Sequence, residues 1–367
     1  MKIICSKSNL LKSVNISLKA VPSKTTMPIL ECILMDATTN QIKFTTNDME
    51  LGIETIVDGH IEEKGMVALD AKIFYEIIRR LPDNDVTITT DSNFVATITC
   101  EKAKFTIPGK AGEDFAYLPV IEKDESLTLS QFTLKEMIRQ TIFSIAVNEN
   151  NRLMTGELFE IKDNCLKIVS LDGHRISIRK MPLKKDYSDR KIVVPGKTLS
   201  EISKILSGEI DDQVSIYFTK NHMLFEFDQT VVVSRLLEGE YFQIDKMISS
   251  DYNTKITINK KELQGCIERA SLLIRESERK PIIINVTDGS MEMKIQSAMG
   301  SMNEDIDISK EGRDIMIGFN PKFILDALRV IDDEEITMYL VNPKAPFIIK
   351  NDEQSYIYLV LPISFNM

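Results

Sequence analysis

Val67-Ala-Leu-Asp-Ala-Lys72-Ile-Phe74, Val193-Val-Pro-Gly-Lys197-Thr-Leu199 and Met316-Ile-Gly-Phe-Asn-Pro-Lys322-Phe-Ile324 recur at one interval: the lysines stand 125 residues apart, twice. Each stretch is an apolar, strand-like run that opens into a helical pattern. Each helical pattern is followed by alternating apolar and polar residues. A long fixed period marks one supersecondary unit built three times. Such a chain is expected to act through an assembled surface rather than through one local motif.

At 367 residues the chain suits two or three domains, and the period selects three of about 120 residues. An apolar fraction of 43% supplies several ordinary cores, which excludes a disordered chain. The five cysteines, Cys5, Cys32, Cys100, Cys165 and Cys266, are odd in number and scattered, with no CxxC pair. That argues against a disulfide framework and a zinc site and suits a reducing cytosol. The densest apolar run, Tyr356 to Ile363, is eight residues long, too short to cross a membrane. Lys7 and Asn9 interrupt the N-terminus before a signal-peptide core can form. The reading is an intracellular, cytoplasmic protein without cofactor or metal.

Six segments carry helical spacing: 7–20, 71–82, 131–147, 196–208, 259–280 and 321–331. Leu10, Leu11, Val14 and Leu18 form the apolar stripe of the first, and Ile73, Phe74, Ile77 and Ile78 that of the second. Asp70 and Asn320 stand at N-cap positions, with Pro321 in the first turn. Between the helices lie β-rich runs such as Gln41-Ile-Lys-Phe-Thr-Thr46, Val86-Thr-Ile-Thr-Thr90, Val214-Ser-Ile-Tyr-Phe218 and Met291-Glu-Met-Lys-Ile295. Asp58-Gly59, Asp172-Gly173 and Asp288-Gly289 read as turns between them. Each half-unit is thus one helix with three or four antiparallel strands, an α+β architecture repeated six times. Two similar connectors, Gly112-Glu-Asp-Phe-Ala-Tyr-Leu-Pro119 and Gly239-Glu-Tyr-Phe-Gln-Ile-Asp245, set boundaries near residues 124 and 251. The expected domains are 1–124, 125–251 and 252–367, without flexible linkers.

The net charge is −10, but it is unevenly distributed. The six helical windows hold eighteen Lys and Arg against eight Asp and Glu, a balance of +10, which leaves −20 on strands and loops. Helix propensity favours Lys and Arg, yet Glu is an equally good helix former and is outnumbered here. If the helices share one surface, that surface attracts a polyanion while the opposite one repels it. Helices about 10 Å wide would close six to a ring around a hole of roughly 9 Å, whereas twelve would leave about 28 Å. Two such chains, but not one, can enclose duplex DNA.

Several local motifs carry less. Val193-Val-Pro-Gly196-Lys197-Thr198 looks like the end of a phosphate-binding loop, but the full pattern needs glycine where Lys191 stands; it reads as a helix start. Asp172-Gly173-His174-Arg175 has no nucleophile or metal partner in the sequence for catalysis. It reads as a type I′ turn, or as a recognition site where His174 and Arg175 orient a bound peptide. Tyr356-Ile-Tyr-Leu-Val-Leu-Pro362-Ile363 is a last buried strand, or one wall of a partner pocket beside that turn.

Thr26-Met-Pro-Ile-Leu30, Thr155-Gly-Glu-Leu-Phe159, Asp172-Gly-His-Arg175 and Tyr358-Leu-Val-Leu-Pro-Ile363 resemble the bacterial DNA polymerase III beta-subunit family, the replication sliding clamps. The resemblance spans the whole chain. It implies three tandem clamp domains and a head-to-tail homodimeric ring whose twelve helices face double-stranded DNA, bound without sequence preference. It implies no enzymatic activity and no cofactor. The implied partners are the replicative DNA polymerase, the clamp loader and other proteins bearing a clamp-binding motif, with no membrane involved.

By position the resemblance places a partner-peptide pocket at Met154, Leu171, Gly173, His174, Arg175, Ile176, Phe242, Lys246, Met247, Tyr358, Val360, Leu361, Pro362 and Ile363. Phe242 stands where many relatives carry proline, and Met247 where they carry a smaller residue. The tail beyond Ile363 brings Phe365 within reach of the groove. For DNA contact the family implies Lys24, Arg152 and Lys197, and the helix charge adds Arg79, Arg80, Lys204 and Lys322. Phe105, Leu272 and Leu273 match the family's apolar interface positions, although each also suits a core. Two other classes stay in view: a repeat-built adaptor that never touches DNA, which leaves the sorted charge unexplained, and a nucleotide-dependent enzyme, which needs the missing glycine.

Overall fold

Each described α-helix begins within two residues of the end of a strand. A computed structural model describes residues 1–147, 151–248, 251–275 and 280–365. Its helices are α1 (Lys7–Ser17), α2 (Ala71–Arg80), α3 (Gln131–Arg139), α4 (Gly196–Ile205), α5 (Lys260–Ser271) and α6 (Pro321–Leu328). The side chain at the junction supplies the cap in five of them. Ser6 Oγ accepts from Asn9 N at 3.2 Å, Asp70 from Ile73 N at 2.8 Å and Ser130 Oγ from Thr133 N at 3.1 Å. Asn259 accepts from Lys261 N and Glu262 N, and Asn320 from Lys322 N at 3.0 Å. Each such cap contributes about 0.5–2 kcal/mol. At α4 the junction is Gly196 instead, where a Cβ would meet Ile145 Cδ1 at 2.3 Å and Thr155 O at 2.9 Å. That glycine is there for close packing and not for phosphate.

Two of the expected helices are much shorter than their apolar pattern, and one cause accounts for both. The window 131–147 stops at Arg139, because Thr141 Oγ1 turns back to donate to Met137 O at 2.8 Å. The window 259–280 stops at Ser271, whose Oγ donates to Ile267 O at 2.7 Å. Ser17 does the same to Ser13 O at the end of α1. A hydroxyl bonded to the carbonyl four residues back competes with helix continuation, so all three repeats end their first helix alike. Arg279, counted among the helical charges, lies outside the described residues. Ile73, assigned to the apolar stripe of α2, is 51% exposed, while Phe74, Ile77 and Ile78 are buried.

The repeating element is strand–helix–three strands. It occurs six times, with two short extra strands, His60–Glu63 and Ser309–Gly312. The leading strand of each half-unit pairs with the first strand after the other half-unit's helix: Lys2–Ser6 with Asp85–Thr90, Ser126–Ser130 with Gln213–Phe218, and Thr254–Asn259 with Glu335–Leu340. The reciprocal crossings are Met66–Asp70 on Cys32–Asp36, Arg190–Pro195 on Gly156–Lys162, and Ile315–Phe319 on Ile282–Thr287. This exchange locks the two halves of each repeat together.

The chain forms two compact units, Met1–Lys135 with Ser200–Leu236, and Glu136–Leu199 with Leu237–Met367. The first holds a thirteen-stranded sheet and the second sheets of nine and four strands among the described residues. The middle repeat is divided between the units because its outer strands continue its neighbours' sheets. Thr230–Arg235 pairs with Leu51–Val57, and Arg175–Pro182 with Tyr356–Val360. In the first unit α1 and α2 pack side by side on the sheet, as α5 and α6 do in the second. Period-two burial supplies the cores: Ile256, Ile258, Ile282, Ile284, Val286, Met291, Met293 and Ile295 on the strands meet Leu263, Cys266, Ile267, Ile324 and Leu328 on the helices. No described helix is long and apolar enough to cross a membrane.

Candidate nucleic-acid and partner interfaces

Lys72, Lys197 and Lys322, the residues that define the period, all occupy the second position of a helix and are exposed. Lys7 opens α1, and Lys260 and Lys261 open α5. The first turns of α1, α2, α3, α4 and α6 hold no acidic residue. A helix N-terminus favours carboxylates, and a cation there is unfavourable by about 0.3–1 kcal/mol. Helix stability therefore does not account for this arrangement. Arg79 and Arg80 share one carboxylate, Glu76, with Arg79 Nη2 at 2.9 Å. Hydrogen bonding from Arg79 first, and then from Arg80, holds that carboxyl below its ordinary range. Lys204 pairs with Glu201 at 2.7 Å on the exposed side of α4. Lys24 is exposed in the loop after α1, and Arg152 is exposed at the start of the turn Arg152–Thr155.

The expected pocket residues all fall in the second unit, but the sheet divides them. One face of its nine-stranded sheet carries Leu158, Val169, Leu171, Ile176, Ile178, Ile357 and Leu359, closed by Ile244 of the connector. Met154, Phe242, Tyr241 and Leu153 pack half-buried on this strip. Leu171 and Ile176 are register partners. Tyr358 and Val360 are not part of it. Alternation along Tyr356–Val360 sends them into the core on the other face, where Tyr358 Oη donates to Gln140 O at 3.1 Å. Ile357 and Leu359, which the sequence reading passed over, take their places. Tyr241 was also missed: its phenol donates to Val169 O at 3.4 Å, its ring stands edge-on to Phe242, and burial pushes its pKa up.

Arg175 is a tie within the fold and not a presented cation. Its Nε lies 3.0 Å from Asp172 Oδ2 and its Nη1 2.6 Å from Asp326 Oδ2, while Nη2 donates to Phe143 O at 2.5 Å. The guanidinium also covers the Phe323 ring at 4.6 Å. With its side chain 8% exposed, every face of the group is occupied. His174 stacks on Phe323, with ring centroids 5.8 Å apart. Gly173 has φ +81° while His174 does not have positive φ, so the turn lacks the two positive φ values of the expected type I′. Lys246, Met247 and Leu361 are exposed, while Pro362 and Ile363 are half-buried.

The tail departs from expectation. Leu361 N donates to His174 O at 2.9 Å, and Ile363 N to Gly318 O at 2.7 Å. Phe365 lies over Gly318, where a Cβ would meet its ring at 2.8 Å. It therefore packs on the edge of the four-stranded sheet and not over the apolar strip, which Leu153, Met154, Tyr241 and Phe242 cover.

The same frame occurs once more, in the first unit. Asp48 Oδ1 accepts from Glu50 N and Leu51 N, as Asp172 Oδ1 accepts from His174 N and Arg175 N. Met49 has φ +74° at the position of Gly173. Arg235 N donates to Glu50 O, as Leu361 N does to His174 O. In that copy, however, Asn47 stands at the place of Leu171 and its Nδ2 donates to the connector's Ala116 O at 3.0 Å. The first unit's own apolar cluster, Cys32, Leu34 and Ala68 closed by Phe115 of its connector, is smaller than the strip of the second.

Of the interface candidates, Phe105 is 40% exposed and Leu272 is 74% exposed, so neither is a core residue. Leu273 packs against the core of the second unit, and both leucines lie just past the end of α5 rather than within it.

Three family models match, described as the N-terminal, central and C-terminal domains of the DNA polymerase III beta subunit, over residues 1–119, 128–243 and 245–364. The chain is 34% identical to a beta sliding clamp of Staphylococcus epidermidis and 33% identical to one of Staphylococcus aureus, each over 99% of both chains. Among solved structures it is similar to a putative DNA polymerase III beta subunit from Eubacterium rectale, 67% identical, TM-score 0.97 and complete coverage of both chains. It is also similar to the DNA polymerase sliding clamp of Bacillus subtilis, 32% identical with TM-score 0.97 and complete coverage of both chains.

Proposed function

The chain belongs to the DNA polymerase III beta-subunit family, the sliding clamps, and from that membership we infer that it is a non-catalytic processivity factor. It tethers a replicative polymerase to the template in the bacterial cytoplasm. In this reading clamp domains 1–124, 125–251 and 252–367 form half of a ring, and two copies encircle duplex DNA head to tail. The ring slides without sequence preference, because phosphate contacts position a protein but carry no sequence information.

The observation that carries the DNA contact is the run of basic helix N-termini, an arrangement that an outside polyanion makes favourable. Lys24, Arg79, Arg80, Arg152, Lys197, Lys204 and Lys322 are the proposed contacts. Two sheet edges support the dimer. Ala103–Lys110 meets a second strand only at Gly109 and Lys110, and Gly300–Asp307 ends the four-stranded sheet. Exposed Phe105 lies in the first strand, and Leu273, next to exposed Leu272, lies beside Gly300 of the second. The apolar strip at Met154, Leu171, Ile176 and Phe242, with Leu361, Pro362 and Ile363 at its end, is the proposed seat of partner peptides, including those of the polymerase and clamp loader.

Charge reversal tests the DNA reading. Glutamate at Lys24, Lys197 and Lys322 should lower DNA affinity at low salt by more than tenfold and flatten its salt dependence, since each lost contact removes about 0.9 from the log–log slope. Equal affinity and slope in wild type and variant, both folded, would contradict it.

A further inference from the structure

The wall of the partner strip is a connector, Tyr241 to Met247, and a charge network holds it in place. Lys167 projects from the strand Cys165–Leu171 with its side chain 13% exposed, 2.5 Å from Glu160 Oε2 and 3.1 Å from Asp245 Oδ1. Glu160 is its register partner on the neighbouring strand. The other Glu160 oxygen lies 2.6 Å from Lys191. Burial opposes charge on Glu160, but the two ammonium groups outweigh it and its carboxyl sits below the ordinary range. Asp245 is 84% exposed. It is therefore drawn to the sheet by a lysine that its neighbours have already fixed.

Asp245 lies between buried Ile244 and exposed Met247. The connector's other attachments are Ile244 in the strip and the Tyr241 hydroxyl on Val169 O. The ionic attachment therefore sits at the end that carries Lys246 and Met247. The corresponding connector of the first unit is fastened differently. There Asn47 holds the Ala116 carbonyl, Leu118 packs on Gly52, and the residue after Leu118 is the uncharged Pro119. Lys43, at the position of Lys167, pairs instead with Glu54 at 2.9 Å. The lysine is common to both frames, but it grips the connector in the second, where Asp245 follows Ile244.

We propose that Lys167, fixed by Glu160, is a positioning residue for partner binding that sets the connector wall at the spacing a peptide requires. The proposal rests on the strip being the partner site. Its role is to preorganise the wall, so that the peptide does not bear the cost of ordering it.

The test is calorimetric titration of the full-length protein with a capped, uncharged pentapeptide carrying leucine and phenylalanine. Asp245→Asn leaves the Lys167–Glu160 pair intact and should weaken binding by about two- to fivefold, the range of an exposed ion pair. Lys167→Met should weaken it at least as much, and Lys167→Arg should restore it. Raising the salt concentration should bring wild-type affinity down toward that of Asp245→Asn while leaving that variant unchanged. Leu171→Asp, which charges the floor of the strip, separates the two ideas. If it abolishes binding while Asp245→Asn and Lys167→Met bind as wild type, the positioning role is overturned and the site stands. If Leu171→Asp itself binds as wild type, the peptide lies elsewhere and both fail. Should Lys167→Met not fold, the surface variant Asp245→Asn decides alone.

Discussion

Glu157 is the residue whose environment departs furthest from what its type prefers. It lies in the strand Gly156–Lys162 opposite Val194, wholly buried, and neither carboxyl oxygen has a hydrogen-bond partner. The nearby Thr141 hydroxyl donates to Met137 O instead. Burial raises its pKa well above the ordinary value, so the folded chain holds that proton to higher pH than the unfolded chain does. The unfolded chain releases it above about pH 4.3. Folding therefore takes up a proton, and stability falls as pH rises from the unfolded value toward the folded one. Glu157→Gln, whose amide cannot ionise, should be more stable than wild type at pH 7–8, because its folding requires no proton uptake. The two proteins should converge near pH 4. Urea unfolding across pH checks this, and parallel curves would contradict it. The identity of such residues is plain in a sequence, but their orientation is not. Tyr356 to Val360 is apolar or aromatic at every position and buried on both faces, so no alternation reveals that Leu359 and not Tyr358 faces the strip. The reverse holds for Arg175. Its charge suggested a binding group, while its partners Asp326 and Phe143 are distant in sequence and could not be read from it.

At the scale of elements, the repeat was legible because α2, α4 and α6 each begin with a buried small residue, Ala71, Gly196 or Pro321, followed by an exposed lysine. Helix ends were less so, since Thr141 and Ser271 stop their helices by a hydroxyl bond that an apolar periodicity does not register. The tail shows how one short element serves two sheets, with Leu361 bonded at His174 and Ile363 at Gly318. Removing the residues after Val360 deletes the end of the partner strip and two backbone hydrogen bonds while keeping the last strand. Global stability should fall by about 1–3 kcal/mol and peptide affinity by more than tenfold, with the dimer intact by sedimentation. Peptide affinity equal to wild type would move the site away from the tail.

For the whole molecule, the 125-residue period predicts three domains, and three family models match in that order, while the contacts group the chain into two compact units. Sheet continuation across repeats explains the difference, because edge pairing between neighbours is invisible to a periodicity that sees each repeat alone. The sorted helix charge was countable from sequence and acquires its meaning from the helix ends at which the lysines sit. The central claim is that two chains close around duplex DNA and slide. Leu272 is largely exposed, so Leu272→Ala should leave each chain as stable as wild type. In the dimer it should remove about 1.5–3 kcal/mol of burial. The direct measurement is retention of loaded protein on a circular duplex before and after a single cut that makes it linear. The account predicts that wild type stays on the circle, leaves the linear product by its ends, and remains there if those ends are blocked, whereas Leu272→Ala is lost even from the circle. Wild-type protein that stays equally on unblocked linear and circular DNA would contradict it.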